Sequence, residues 1–335
     1  MPGSVNFADW SFSWSIPSLN GEGLAISFAD FKGTRVLYRA GAPFVLVPYH
    51  GNSPTFKDGL APACGGLPFL ALKPTAPNVT GQDLPPGAIA SNDNEAVQVE
   101  LQPAELSEPA KAVVWAKFQC GNYQYIHRWV FLADGNVHAE VGLGGRLLTA
   151  AGVGHIHNFY FRLDFDIATP GNNLVQRLEH QGNLVGQDKW VDISLESKDT
   201  VSPSKYSKWR VLNKTPKANG MYRSYELIPG SDGAPDGTYS TGDVWVVRYK
   251  SGTETGANVG CNDTVLTTSY ATPAEDVDGQ DVVIWYCLRA HHAPRQLGEE
   301  KKVLPYHFIA LHMEPRDWVD DTIKNLYPTT PPSPI

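Results

Sequence analysis

His155-Ile156-His157-Asn158-Phe159-Tyr160-Phe161-Arg162-Leu163-Asp164-Phe165-Asp166 carries aromatic residues throughout and has no helical period. It reads as a strand, in which successive side chains point to opposite faces. One face then holds His155, His157, Phe159, Phe161, Leu163 and Phe165, and the other holds Asn158, Tyr160, Arg162, Asp164 and Asp166. Two imidazoles two residues apart on a strand can hold one divalent metal from the same side. The two carboxylates face the other way, where oxygen ligands suit calcium, magnesium or manganese.

A second stretch, Asp281-Val282-Val283-Ile284-Trp285-Tyr286-Cys287-Leu288-Arg289-Ala290-His291-His292, is again β-branched and aromatic, as strands are. Asp281 and His292 differ in parity and so take opposite faces of a regular strand. Laid beside the first strand, this one completes a three-histidine group on one face and a three-aspartate group on the other. The bland alternative is surface or core histidines satisfied by backbone partners. Imidazole suits copper and zinc alike, so ligand type does not choose the metal.

Around these two stretches, 31 glycines and 26 prolines punctuate short alternating runs, the pattern of an all-β chain. Strands are expected at Leu24 to Phe28, Arg35 to Arg39, Ala96 to Leu101, Val113 to Phe118, Tyr123 to Leu132, Val137 to Val141, Val244 to Tyr249 and Phe308 to Met313. So many strands must close their edges, and a large β-sandwich is the simplest way. Lys73 to Glu95 reads as a long loop. Gly142-Leu143-Gly144-Gly145 lacks the strand-to-helix setting of a nucleotide loop. Residues 1–327 are expected to form one domain, and the Pro-rich residues 328–335 a disordered tail.

A net charge of −8, with no cluster of Lys or Arg, argues against nucleic acid or an anionic membrane as partner and leaves small molecules. Met1 to Phe7 has no basic segment leading into an apolar run, and no stretch reaches transmembrane length, so a cytoplasmic protein is expected. Cys64, Cys120, Cys261 and Cys287 form neither a disulfide framework nor CxxC pairs, and are expected to be mainly reduced, with room for one bridge.

From about Trp10 to Trp318 the chain resembles the C-terminal catalytic β-sandwich of the copper-containing amine oxidases. The resemblance is carried by Gly21-Glu22-Gly23-Leu24, Arg35-Val36-Leu37-Tyr38-Arg39-Ala40, Val47-Pro48-Tyr49, Gly121-Asn122-Tyr123-Gln124-Tyr125, Asp276 to Trp285, His292-Ala293-Pro294-Arg295 and Leu304-Pro305. It implies copper at His155, His157 and His292. It implies a peripheral calcium or manganese at Asp164, Asp166 and Asp281, with the carbonyls of Phe165 and Val282. Asn122 and Tyr123 match the motif whose tyrosine becomes topaquinone, and Tyr49 matches the residue that hydrogen-bonds the quinone. A homodimer is also implied, although the span from Tyr123 to His155 is short for the arms that embrace a partner subunit.

The chain departs from the pattern in three places. The family's general base is an aspartate shortly after Val-Pro-Tyr, and reading forward without a gap puts Ala63 there. Asp58 would serve only if the intervening loop were shortened or rebuilt. Gln124 stands where an acid follows the tyrosine, and Gln119 where a threonine precedes the motif. The expected function is therefore a copper enzyme of this fold used for another reaction on a small organic substrate, either Lewis-acid cyclisation or cycloaddition or a copper-dependent oxidation. The alternatives are a topaquinone-dependent primary-amine oxidase with a relocated base, and a non-catalytic copper-binding protein.

Overall fold

The structure is a computed structural model that describes residues 2–17, 23–49, 55–59, 64–106, 108–146, 154–180, 188–202, 207–229, 242–250, 271–292 and 303–318. Nineteen strands lie within them, in chain order: β1 (Gly3–Phe7), β2 (Trp10–Ser15), β3 (Ala25–Phe31), β4 (Thr34–Val47), β5 (Phe56–Asp58), β6 (Leu70–Leu72), β7 (Val97–Gln102), β8 (Lys111–Cys120), β9 (Tyr123–Leu132) and β10 (Val137–Gly145). After them come β11 (His155–Phe165), β12 (Asn173–Glu179), β13 (Lys189–Ile193), β14 (Ser197–Asp199), β15 (Trp209–Asn213), β16 (Ser224–Ile228), β17 (Val244–Arg248), β18 (Val282–His292) and β19 (Leu304–Arg316). The one α-helix among the described residues is a single turn, Asp93–Ala96. No described helix is long and apolar enough to cross a membrane.

The strands form two antiparallel sheets. One runs β1-β2-β3-β4-β11-β18-β17-β14, with β5 added to β4. The other runs β13-β12-β15-β16-β19-β10-β9-β8-β6, with β7 added to β8. All eight strands expected from alternation are present. The expected loop from Lys73 to Glu95 has only a 3-10 turn and the start of the helix. It is pinned near its start, where Asn78 donates to the Leu304 carbonyl at 2.6 Å and accepts from the Gly145 amide at 2.9 Å. Gly142 to Gly145 are strand, and the tail at 328–335 lies outside the described residues.

β11 occupies the centre of its sheet, between β4 and β18, and every one of its residues is buried. Phe159, Phe161, Leu163 and Phe165 face the other sheet within the main core. Burying such a side chain stabilises by roughly 1.5–3 kcal/mol each. Tyr160 points the other way, stacked on Phe44 at 4.6 Å in a smaller core with Trp245 and Trp285. The two faces are divided as strict alternation predicts.

Asn158 and Arg289 on that outer face stay buried because they are paired. Asn158 lies directly opposite Arg289, whose Nε donates to its Oδ1 at 3.0 Å, while its Nδ2 donates to the Leu46 carbonyl at 3.1 Å. Arg289 also forms a buried ion pair with Asp243. The network ties β4, β11 and β18 together, and a slip of one residue would break it and send every side chain to the wrong face.

The one bridge left open among the cysteines is present. Cys64 is disulfide-bonded, whereas Cys120 and Cys287 are buried and outside any disulfide.

Candidate active site

Register, more than proximity in sequence, assembles the histidines. β11 and β18 run antiparallel with His155 opposite His292 and His157 opposite Ala290, so paired residues share a face. His155 Nε2 lies 3.1 Å from His157 Nε2 and 3.2 Å from His292 Nδ1. All three ligand atoms fall within 4.8 Å of one another, a group that can hold a metal ion. Two nitrogens sharing one ion at ~2.0–2.1 Å can stand at most ~4.2 Å apart, and both measured separations pass. His155 and His157 are fully buried. Burial, and then the neighbouring imidazoles, hold His157 well below the usual histidine range, leaving the neutral ring a metal requires.

The opposite sheet supplies two of the three phenols. Tyr123 and Tyr125 are two apart on β9 and share its inward face. The Tyr123 hydroxyl is 3.1 Å from His155 Nε2 and 3.0 Å from the Tyr49 hydroxyl. Tyr49 follows β4 by two residues and stacks on His155 at 4.2 Å. Tyr123 ends a tight hairpin from β8, and Gln119 holds the turn by donating to the carbonyls of Gly121 at 2.8 Å and Tyr123 at 3.0 Å. Gln124 in turn donates to Gln119 Oε1 at 2.8 Å. The two glutamines that depart from the family pattern therefore bond to each other across the strands, at positions directly in register.

Asp58 ends the short strand β5, pairs with Val45 and is only 4% exposed. It lines a pocket of about 80 Å³ together with Val47, Tyr49, Phe56, Leu67, Cys120, Gly121, Asn122 and Tyr123. Burial pushes its carboxyl up to about 6, against hydrogen bonds from Tyr125 and Cys120 that lower it. Ala63 lies outside the described residues, and Asp58 is the acid that the described residues bring beside Tyr123. Tyr125, which the motif reading quoted without a role, donates to Asp58 and also meets His157 Nδ1 at 3.1 Å. Its signal in the sequence was parity with Tyr123.

At the far end of the same two strands, Asp164, Asp166 and Asp281 bring three carboxylate oxygens within 4.8 Å of one another. Phe165 and Val282 pair in register beside them. Burial and then the charge of Asp164 push Asp166 up to about 6, and Asp166 Oδ1 is buried with no hydrogen-bond partner. An orphaned carboxylate oxygen among like charges suits a hard cation. Arg162 lies 3.2 Å from Asp164 and offsets part of that charge.

The fold and site together define a β-sandwich with a three-histidine group, two of its members buried and the third half-buried, a tyrosine beside it and an acid in the adjoining pocket. Residues 148–331 match the family model described as copper amine oxidase, enzyme domain. The chain belongs to the copper amine oxidase family. It is 25% identical over 405 aligned positions to the primary amine oxidase of Klebsiella aerogenes, covering 95% of this chain and 52% of that one. It is 23% identical over 252 positions to the copper-containing amine oxidase gamma 1 of Arabidopsis thaliana, covering 60% of this chain and 35% of that one. The chain thus spans about half, or less, of the length of these curated relatives. Among solved structures, the copper-containing benzylamine oxidase of Hansenula polymorpha superimposes with a TM-score of 0.72 at 18% identity, over 95% of this chain and 60% of that one. The Aspergillus nidulans amine oxidase gives 0.70 at 19%, over 95% and 52%.

Proposed function

We propose that this chain is the catalytic unit of a copper- and quinone-dependent amine oxidase, with Asp58 as its general base. The observation that carries the reading is Asp58 in the pocket wall beside Tyr123 and Tyr49. An acid in this position supports amine chemistry over the different reaction that Ala63, Gln124 and Gln119 suggest.

His155, His157 and His292 would hold the copper, and Tyr123, within hydrogen-bond reach of a ligand nitrogen, would be the quinone precursor. When bound, copper and the quinone supply the oxygen chemistry and the electrophile that a protein side chain cannot. The chain's own residues do the rest. Asp58 accepts the proton from the carbon beside the amine nitrogen, and a carboxyl held at about 6 is ionised at neutral pH yet basic enough for the task. Tyr49 fixes the oxygen of residue 123 through its hydroxyl. Val47, Phe56 and Leu67 give the pocket wall its apolar surface. The second cluster, at Asp164, Asp166 and Asp281, would take calcium or manganese in a structural role.

The test is to load the purified chain with copper in air, stain for quinone, weigh the Tyr123 peptide and assay hydrogen peroxide with primary amines. A peptide heavier than the unmodified sequence, together with peroxide release, supports the reading. An unmodified Tyr123 in a copper-loaded protein sinks it in favour of copper chemistry without a quinone.

A further inference from the structure

We propose that Tyr125 is a positioning residue that sets the tautomer of His157 and couples it to Asp58, so that an acid touching none of the three histidines nonetheless governs how tightly they bind metal. The inference rests on the proposed reading of those histidines as the copper site.

Tyr125 is fully buried, and its hydroxyl meets two groups, Asp58 Oδ2 and His157 Nδ1. A phenol has one proton to donate and lone pairs with which to accept. An ionised carboxylate can only accept, so the Tyr125 proton lies toward Asp58, in a bond that the charge on the acceptor strengthens. The phenol oxygen is then left to accept, and the donor facing it is His157 Nδ1. A neutral imidazole carries one N–H. With that proton on Nδ1, Nε2 is a bare lone pair, and Nε2 is the atom 3.1 Å from His155 Nε2 inside the cluster. The direction of donation runs from His157 to Tyr125 to Asp58, and each link fixes the next.

Without the tyrosine hydroxyl nothing in this chain of bonds prefers Nδ1–H, and the proton can occupy Nε2, from which a metal must displace it. With the carboxylate made a neutral amide, Tyr125 loses its strongest acceptor and is freer to donate to Nδ1, which again drives the imidazole proton to Nε2. Outer partners of ligating histidines typically carry ~10–100-fold in metal affinity. Packing supports the same placement. The Tyr125 and His157 rings meet at 5.9 Å and 66°, and Phe159 and Phe69 close over Tyr125 at 5.5 and 6.0 Å, so the phenol has little room to choose other partners.

The test uses the full chain, stripped of metal and kept free of oxygen, titrated with Cu²⁺ against a competing chelator. The wild type, Tyr125→Phe, Asp58→Asn and the double variant are compared. Tyr125→Phe should bind Cu²⁺ ~10–100-fold more weakly, and Asp58→Asn should also bind more weakly although it contacts no histidine. The double variant should bind no more weakly than Tyr125→Phe alone, because the acid acts only through the phenol. Histidine ¹⁵N shifts of the metal-free protein should report Nδ1–H at His157 in the wild type and a shift toward Nε2–H in Tyr125→Phe, which loss of packing alone would not produce. Unfolding temperatures of the metal-free variants within a few degrees of wild type exclude collapse of the core. Wild-type Cu²⁺ affinity in Tyr125→Phe, or independent multiplying losses in the double variant, overturns the proposal. A wild type that binds copper but neither modifies Tyr123 nor oxidises amines overturns the catalytic reading instead, and the copper titration still decides the role of Tyr125.

Discussion

Asp58→Asn should make the protein more stable and nearly inactive at once. In the fold, burial raises the carboxyl from 3.8 to about 6, so the folded form binds more protons than the unfolded chain between those values. Stability relative to a neutral side chain is then fully kept below 3.8 and is lost as pH rises through 6. At ~1.4 kcal/mol per unit, the ionised acid costs the fold roughly 3 kcal/mol at pH 8. The amide introduced by Asp58→Asn keeps the shape of the side chain without that cost. Denaturant unfolding of the metal-free protein at pH 8 should show the variant ahead by up to ~3 kcal/mol, with the gain shrinking toward zero below pH 4. Loss of the base should lower kcat/KM for primary amines by ~10²–10⁴, equivalent to roughly 3–5 kcal/mol in the barrier. In the wild type kcat/KM should rise with pH through about 6 and then level. A variant no more stable than wild type at pH 8 would refute the buried, ionised acid. One that turns over amines at the wild-type rate would refute its use as a base.

Other perturbations separate the parts. Tyr123→Phe should bind copper within ~10-fold of wild type but give no quinone stain; retained amine oxidation would remove Tyr123 from the chemistry. His157→Ala should leave less than one copper per chain after dialysis and lower the unfolding temperature in copper-containing buffer, since a ligand at ~1,000 times its Kd adds ~4 kcal/mol of stability. Undiminished copper by elemental analysis would contradict the cluster. Gly145→Ala should disturb the hairpin that carries Tyr123. Gly145 sits at φ +95, and a Cβ there would meet the Asn122 carbonyl at 2.4 Å and Tyr123 Cα at 2.7 Å. The strain costs on the order of 1–3 kcal/mol, and quinone formation after copper loading should slow. Unchanged formation would show that the hairpin yields elsewhere.

Much of the site was legible because strand periodicity is an integer. Parity put His155 with His157, and Asp164 with Asp166 on the reverse face, while the resemblance singled out His292 and the register of β11 on β18 seated it opposite His155. The same rule would have revealed Tyr125, two residues from Tyr123, and the β1–β2 hairpin, whose Trp10-Ser11-Phe12-Ser13-Trp14-Ser15 alternates without a break. Neither lay near a residue already under attention. Asp58 was harder. Its place depends on how the chain leaves β4 and returns as β5, and an ungapped reading through a loop carries no information on that path. The disulfide at Cys64 was hidden for the same reason, since scattered cysteines carry no distance.

By itself, then, the sequence determined which residues share a face, because a strand's side chains must alternate whatever the chain does next. It also determined that the faces would be covered, because strands this apolar cannot remain in water. Only the tertiary structure decided which faces meet. Contact between the β9 phenols and the β11 imidazoles is set by the packing of one sheet on the other. The approach of Asp58 is set by where β5 joins β4. Both are long-range contacts, whose geometry comes from the whole core and from no local pattern of residues.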